Sequence, residues 1–227
     1  MKQCIELVVF DMAGTTVDED NVVYKTVQKV INDEGYNVTL EEVLKYGAGK
    51  EKHQAITDVL KESTNLINVG TVADIAFSKF KVALEKAYDT LEIKTFEGTE
   101  ELFKDLRKNQ IKVVLNTGYD TKTAHSLLAK LGWVVGETID GLVTADDVEN
   151  GRPEGDMILL AMKKTGITDS KKVLKVGDSA IDIEEGKSAN CGMTVGVLTG
   201  AQTRAQIQEA NPTYILESLT ELRSMLL

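Results

Sequence analysis

The sequence predicts an α/β chain: a doubly wound parallel sheet, interrupted just after its first strand by an all-helical insert. Three observations carry this. Short unbroken apolar runs recur, as at residues 7–10 and 113–115. Runs of that length without polar alternation fit strands covered on both faces. Between them lie segments with apolar residues at helical spacing, and this βαβα alternation implies a parallel sheet with helices on both faces. Residues 18–91, by contrast, carry helical spacing alone. A chain of 227 residues suits one large domain or a domain with a sizeable insert.

The first strand runs into the turn Asp11-Met12-Ala13-Gly14-Thr15-Thr16-Val17. A polar stretch, Asp18-Glu19-Asp20-Asn21, can start a helix whose face is Val23, Val27, Val30 and Ile31, ending near Gly35. A short helix follows over 39–44, with Thr39 as cap and Glu42 three residues on. The pattern breaks over 46–50. It resumes with Ala55, Ile56, Val59 and Leu60, then with a longer helix whose face includes Val72, Ala76, Phe80, Leu84 and Tyr88. From Thr95 the alternation sets in. Helices are expected over 99–108, 121–131, 156–164, 181–188, 203–209 and 217–225, and strands over 111–116, 139–143, 173–176, 193–198 and 214–215. Residues 1–17 and 95–227 are therefore expected to form the sheet domain and 18–94 a helical cap, hinged near Asp18 and over 92–95.

Composition narrows the partners. A net charge of −10 argues against nucleic acid, whose phosphates call for stripes of Lys and Arg. Cys4 and Cys191 are too few and too far apart for a disulfide framework or metal cluster, and are expected to be reduced. The start of the chain does not read as a signal peptide, and no apolar run reaches the length of a membrane span. The expectation is a cytoplasmic protein with no membrane partner. The cap helices are a candidate homodimer surface.

The polar residues gather at strand ends, where parallel sheets place their chemistry. Asp11 and Asp178 could hold Mg²⁺ together with a phosphoryl oxygen and waters. Gly14, Thr15 and Thr16 offer N–H and hydroxyl groups to an anion, and Thr117 with the Gly118 N–H could bind phosphoryl oxygens. Arg152 could neutralise charge on both phosphoryl group and nucleophile. A carboxylate that attacks phosphorus gives an aspartyl-phosphate.

This ordered quartet, Asp11, Thr117, Arg152 and Asp178, resembles the haloacid dehalogenase superfamily, over essentially the whole chain. The resemblance implies a Rossmann-like core, Mg²⁺ dependence and an aspartyl-phosphate on Asp11. It implies Thr15, Thr117, Gly118, Tyr119 and Arg152 as phosphate or substrate binders. It places Asp11, Ala13 and Asp178 at the metal, with Asp182 as the acidic companion. Most members have Lys where Arg152 stands.

Phosphate-ester hydrolases of that superfamily usually carry a second Asp two residues after the nucleophile, and here that position is Ala13. A methyl group transfers no proton, and general acid–base help is worth about 10²–10⁴-fold. The string Asp11-Met12-Ala13-Gly14-Thr15-Thr16-Val17-Asp18 is similar instead to the first motif of phosphonoacetaldehyde hydrolases, which have Ala there. That family's cap supplies a Schiff-base lysine. The segment Tyr46-Gly47-Ala48-Gly49-Lys50-Glu51-Lys52-His53 looks like the matching stretch. The resemblance puts Lys50 at the lysine position and His53 at that of a frequent histidine, with Lys52 or His53 as nearby positive charge. Tyr119 and the region from Thr144 to Pro153 also look like that family. Met12 and Tyr46 depart from it, standing where Trp and Met are common.

The expected function is cleavage of a C–P or P–O bond in a small phosphonate or phosphorylated metabolite. The alternatives are a phosphate monoester phosphatase of the same superfamily, and a phosphometabolite-binding module without turnover.

Overall fold

The computed structural model describes residues 4–227; Met1–Gln3, part of the stretch read as lacking a signal peptide, lie outside the described residues. The sheet is six-stranded and wholly parallel. It comprises β1 (Leu7–Asp11), β4 (Lys112–Asn116), β5 (Gly141–Val143), β6 (Val173–Gly177), β7 (Met193–Val197) and β8 (Tyr214–Leu216), in the order β5-β4-β1-β6-β7-β8. Every residue of β1 is buried. Leu7 and Val9 face one apolar cluster with Val114, Met157, Ile158 and Ala161, while Val8 and Phe10 face another with Phe103, Leu106 and Leu115. Two-sided burial explains the unbroken apolar run.

Helices α5 (Thr99–Lys108), α6 (Thr121–Leu131), α7 (Asp156–Thr165), α8 (Ala180–Ser188) and α9 (Arg204–Glu209) connect the strands, and α10 (Leu219–Leu226) follows the last of them. The expected doubly wound α/β architecture is what the chain adopts. The strand expected over 139–143 is shorter, because Ile139 leaves the sheet and bridges only to Val135.

Between β1 and α5 come α1 (Val22–Asp33), α2 (Leu40–Gly47), α3 (Lys52–Ser63) and α4 (Val69–Thr90). The stop and start signals act as read: Thr39 and Glu42 form a reciprocal capping box on α2. The sequence pattern did not reveal that the two expected hinges pair with each other. β2 (Val17–Asp18) and β3 (Lys94–Thr95) form an antiparallel ribbon, with Val17 opposite Thr95. The helices thus leave and rejoin the sheet through one two-stranded neck.

Candidate active site

β1 lies between β4 and β6, at the point where sequence order reverses across the sheet, so the loops leaving these three strands share one crevice. Asp11 ends β1 and is buried. Its Oδ1 lies 2.7 Å from Nη1 of Arg152. Arg152 uses every edge of its guanidinium: Nε donates to Glu185 Oε2 at 2.9 Å, Nη1 to the Gly49 carbonyl at 3.1 Å, and Nη2 to the Asn116 carbonyl and Oδ1, both at 3.0 Å. A planar fork held this way presents fixed charge to Asp11.

A second cation lies beneath. Lys175 in β6 is fully buried; its Nζ donates to Asn116 Oδ1 at 2.5 Å and pairs with Glu185 at 3.0 Å and Asp182 at 3.1 Å. Four buried carboxylates, those of Asp11, Asp178, Asp182 and Glu185, thus face two buried cations, Arg152 and Lys175. A divalent cation would bring this floor to formal neutrality.

The donor set fits Mg²⁺. Burial, then the Asp11 and Asp182 carboxylates, push Asp178 well above its ordinary value. Burial raises Asp11 too, although Arg152 pulls it down. Asp182 differs: burial pulls it up, but Arg152 and Lys175 outweigh that and hold it low. The strained pair is therefore Asp11 and Asp178, the two expected at the metal. Asp178 is oriented by the Thr15 hydroxyl at 3.4 Å and the Ala201 N–H at 2.5 Å. Ala13 has only its main-chain carbonyl to offer. Two carboxylates and a carbonyl leave room for phosphoryl and water oxygens, the shell Mg²⁺ prefers.

The roof is the α2–α3 loop, and two glycines let it descend. Gly49 has φ +73°, and a Cβ there would sit 2.4 Å from Ile181 Cγ2. A Cβ on Gly118 would sit 2.8 Å from the Lys50 carbonyl oxygen. Only glycine permits both approaches. Lys52 opens α3 and is 7% exposed. Its Nζ donates to the Lys50 carbonyl at 2.5 Å and lies 5.6 Å and 5.5 Å from the ring centres of Tyr24 and Tyr119. Burial lowers its pKa to about 8, against the pull of the Asp11 carboxylate and aided by Arg152.

One small pocket is lined by Asp11, Ala13, Lys52, Thr117, Gly118, Tyr119 and Arg152, together with Val23, Tyr24 and Gly49. Lys52, Gly118 and Tyr119 also line a cavity of about 290 Å³ with Phe77, Phe80 and Leu84, between the helical insert and the core. Of the expected residues, Asp178 and Asp182 lie beside this pocket, and Thr15 turns its hydroxyl to Asp178 rather than into it. Thr117 is buried, and its Oγ1 accepts the Tyr119 N–H at 3.2 Å.

The Lys50 and His53 side chains do not line this pocket. The Lys50 ammonium is on the flank of the insert, 2.5 Å from Asp58 Oδ2, and reaches the site only through its carbonyl. His53 turns away as well, its Nε2 2.8 Å from Asp74 Oδ1 and its ring against Phe77. Successive helical residues are rotated by about 100°. The buried face of α3 is Lys52, Ala55, Ile56, Val59 and Leu60, and it centres on Lys52. Glycine followed three residues later by lysine occurs twice, at Gly47–Lys50 and Gly49–Lys52. The structure brings the second pair into the pocket.

Sequence reading gave no role to Lys175, Glu185, Asn116 or Tyr24. The signals for two of them were available. Lys175 is a charge inside an apolar strand, and Glu185 lies one helical turn after Asp182. Asn116 opened the strand-end loop Asn116-Thr117-Gly118-Tyr119 without a role of its own, and nothing in the sequence marked Tyr24.

A family model described as haloacid dehalogenase-like hydrolase matches residues 8–197. A phosphonoacetaldehyde hydrolase from Bacillus cereus is 31% identical over 237 residues, covering 97% of this chain and 87% of its own. Among solved structures, a phosphonoacetaldehyde hydrolase-like protein from Oleispira antarctica superposes with TM-score 0.84 at 24% identity, covering 98% of this chain and 91% of that one. A predicted phosphatase from Clostridium acetobutylicum gives TM-score 0.78 at 22% identity, covering 97% of each chain.

Proposed function

This chain belongs to the haloacid dehalogenase-like hydrolases, and on that premise we propose that it cleaves the C–P bond of a small phosphonate aldehyde of the phosphonoacetaldehyde kind. The observation that carries the reading is the shared pocket: the Lys52 amine is enclosed with Asp11, Arg152 and Thr117, beside an Ala13 that provides no acid.

Breaking a C–P bond expels a carbanion, which needs an electron sink more than a proton. In this reading the neutral Lys52 amine adds to the aldehyde carbon, and loss of water leaves an iminium. The Asp11 carboxylate attacks phosphorus from below. The C–P bond breaks, and its electron pair neutralises the iminium nitrogen as an enamine. Protonation and hydrolysis of the enamine release acetaldehyde and restore Lys52; water cleaves the Asp11 acyl phosphate to inorganic phosphate. Arg152 holds the nucleophile and sets its positive charge beside the phosphoryl position, while Thr117 and Gly118 line the phosphoryl side. Lys52 suits the amine role because desolvation brings its pKa to about 8, leaving a useful neutral fraction near neutrality. Mg²⁺, held by Asp11, Asp178 and the Ala13 carbonyl, would supply charge against the phosphoryl oxygens.

The test is release of phosphate and acetaldehyde from phosphonoacetaldehyde by wild type, Lys52→Arg and Lys50→Arg, with Mg²⁺ and after chelation. Turnover is expected from wild type and Lys50→Arg with Mg²⁺ only. Equal turnover of the phosphonate by Lys52→Arg would reject the Lys52 role, and turnover of phosphate esters alone would reject the reading in favour of a simple phosphatase.

A further inference from the structure

Glu19 is a buried carboxyl that the proposed reaction does not use. It lies between β2 and α1, where the chain enters the helical insert, and is 3% exposed. Its Oε2 accepts the Val23 N–H at 3.0 Å and lies 3.4 Å from the Tyr88 hydroxyl. Tyr88 belongs to the last turns of α4, and its hydroxyl is 2.8 Å from that of Tyr119. Tyr119, on the loop after β4, lines the pocket with Asp11 and Lys52. A line of three oxygen groups thus runs from the neck of the insert, through its longest helix, to the reaction pocket. All three residues are buried, so water does not compete for these bonds.

A neutral tyrosine hydroxyl donates one hydrogen bond. Burial first, and then the charge of Glu19, push Tyr88 and Tyr119 well above the ordinary tyrosine value, so both keep their protons. The line therefore has two arrangements. An ionised Glu19 only accepts. Tyr88 then donates to Glu19, Tyr119 donates to Tyr88, and the pocket meets a Tyr119 lone pair. A protonated Glu19 donates to Tyr88, Tyr88 donates to Tyr119, and the Tyr119 proton is free to turn into the pocket.

We propose that Glu19 is a positioning residue which, through Tyr88, sets whether Tyr119 offers the pocket a proton or a lone pair. In a site without an acid at Ala13, a Tyr119 donor assists departure of an oxygen leaving group, as in the loss of water that forms an iminium. That catalytic consequence rests on the proposed reaction; the switch itself does not. Burial moves Glu19 up to about 7, against the Val23 N–H and the Lys52 charge. The other groups facing it are Tyr24 from α1 and the two tyrosines of the line; Asp18 and Asp20 flank it in sequence.

The experiment uses the full chain with ¹³Cζ-tyrosine, titrated from pH 5.5 to 9 without substrate, with Tyr119 assigned by Tyr119→Phe. The Tyr119 resonance is expected to step with a midpoint near 7. The step should persist in Lys52→Met and vanish in Glu19→Gln and in Tyr88→Phe. A flat wild-type resonance, or a step that survives Glu19→Gln, overturns the switch. Should Glu19→Gln fail to fold, Tyr88→Phe decides alone, since the step must vanish there while the Glu19 carboxyl still titrates. In turnover of phosphonoacetaldehyde, Tyr88→Phe should raise kcat/KM up to about tenfold above pH 8, where it frees the Tyr119 proton that Tyr88 otherwise accepts, the worth of one hydrogen bond. It should have far less effect below pH 7, where that proton already faces the pocket. A pH profile unchanged from wild type overturns the catalytic consequence. Absence of turnover at any pH with the resonance step intact would instead reject the proposed reaction and leave the switch standing.

Discussion

The floor and the roof of the crevice each bury a lysine, and they bury it in opposite surroundings. On the floor, Lys175 meets Asn116, Asp182 and Glu185 within 3.1 Å. Its charge is matched, and the same carboxylates hold Arg152. In the roof, Lys52 has one main-chain carbonyl and two aromatic faces. The first environment surrounds the ammonium with carboxylates; the second, by desolvation, loosens a proton. Burial alone therefore does not mark a reactive lysine. What marks it is burial without a paired carboxylate, in a pocket that also holds a nucleophile.

The contrast can be broken by mutation, and the largest effect is expected where floor and roof meet. Asp11→Asn should abolish turnover, with loss of at least about 10³-fold, because the acceptor of the phosphoryl group is gone. Intact-mass analysis after acid quench should then find no phosphoryl adduct. Next, Lys52→Met should lower kcat by roughly 10²–10⁴-fold, a range typical of losing one catalytic group. The floor lysine should respond in stability instead. Lys175→Met leaves Asp182 and Glu185 short of a partner and should cost about 3–5 kcal/mol in denaturant unfolding.

Lys52→Met should move stability the other way, gaining on the order of 1 kcal/mol at neutral pH by removing a desolvated cation. Linkage gives this a pH signature. The folded state holds Lys52 near 8 against 10.5 for the free side chain, so over that window it binds fewer protons than the unfolded chain. Wild-type stability should therefore rise with pH from about 8 to 10.5, and Lys52→Met should lose that rise. In wild-type kinetics, kcat/KM should climb as pH passes through about 8 and the amine becomes neutral. The smallest effect belongs to Lys50→Met, which removes a part-exposed pair with Asp58 worth roughly 0.2–1 kcal/mol and should change kcat less than threefold.

Much of the architecture was legible because two-sided burial and helical spacing leave marks along the chain itself. The apolar run of β1, the Thr39–Glu42 box and the long face of α4 are local facts. So was the quartet, since strands of a parallel sheet deliver their carboxyl ends to one edge. What failed to appear depends on tertiary placement. The β2–β3 ribbon needs two pairs of residues separated by the whole insert. The choice between Lys50 and Lys52 turns on where α3 begins and which face it buries, and helix starts are the least certain part of a sequence reading. The His53 ring lies off the pocket for the same reason, a rotation of one residue along α3. Glu19 looked like one more acid in a polar stretch that starts a helix. Its burial arises only when Tyr88 arrives from the far end of the insert.

Borohydride trapping decides whether Lys52 is the amine that works with Asp11. The chain is incubated with phosphonoacetaldehyde and reduced, and the modified lysine is located by peptide mass spectrometry. A two-carbon alkyl adduct is expected on Lys52, absent from Lys52→Arg and undiminished in Lys50→Arg. An adduct on Lys50, or turnover of the aldehyde with no adduct at all, would contradict that role of Lys52.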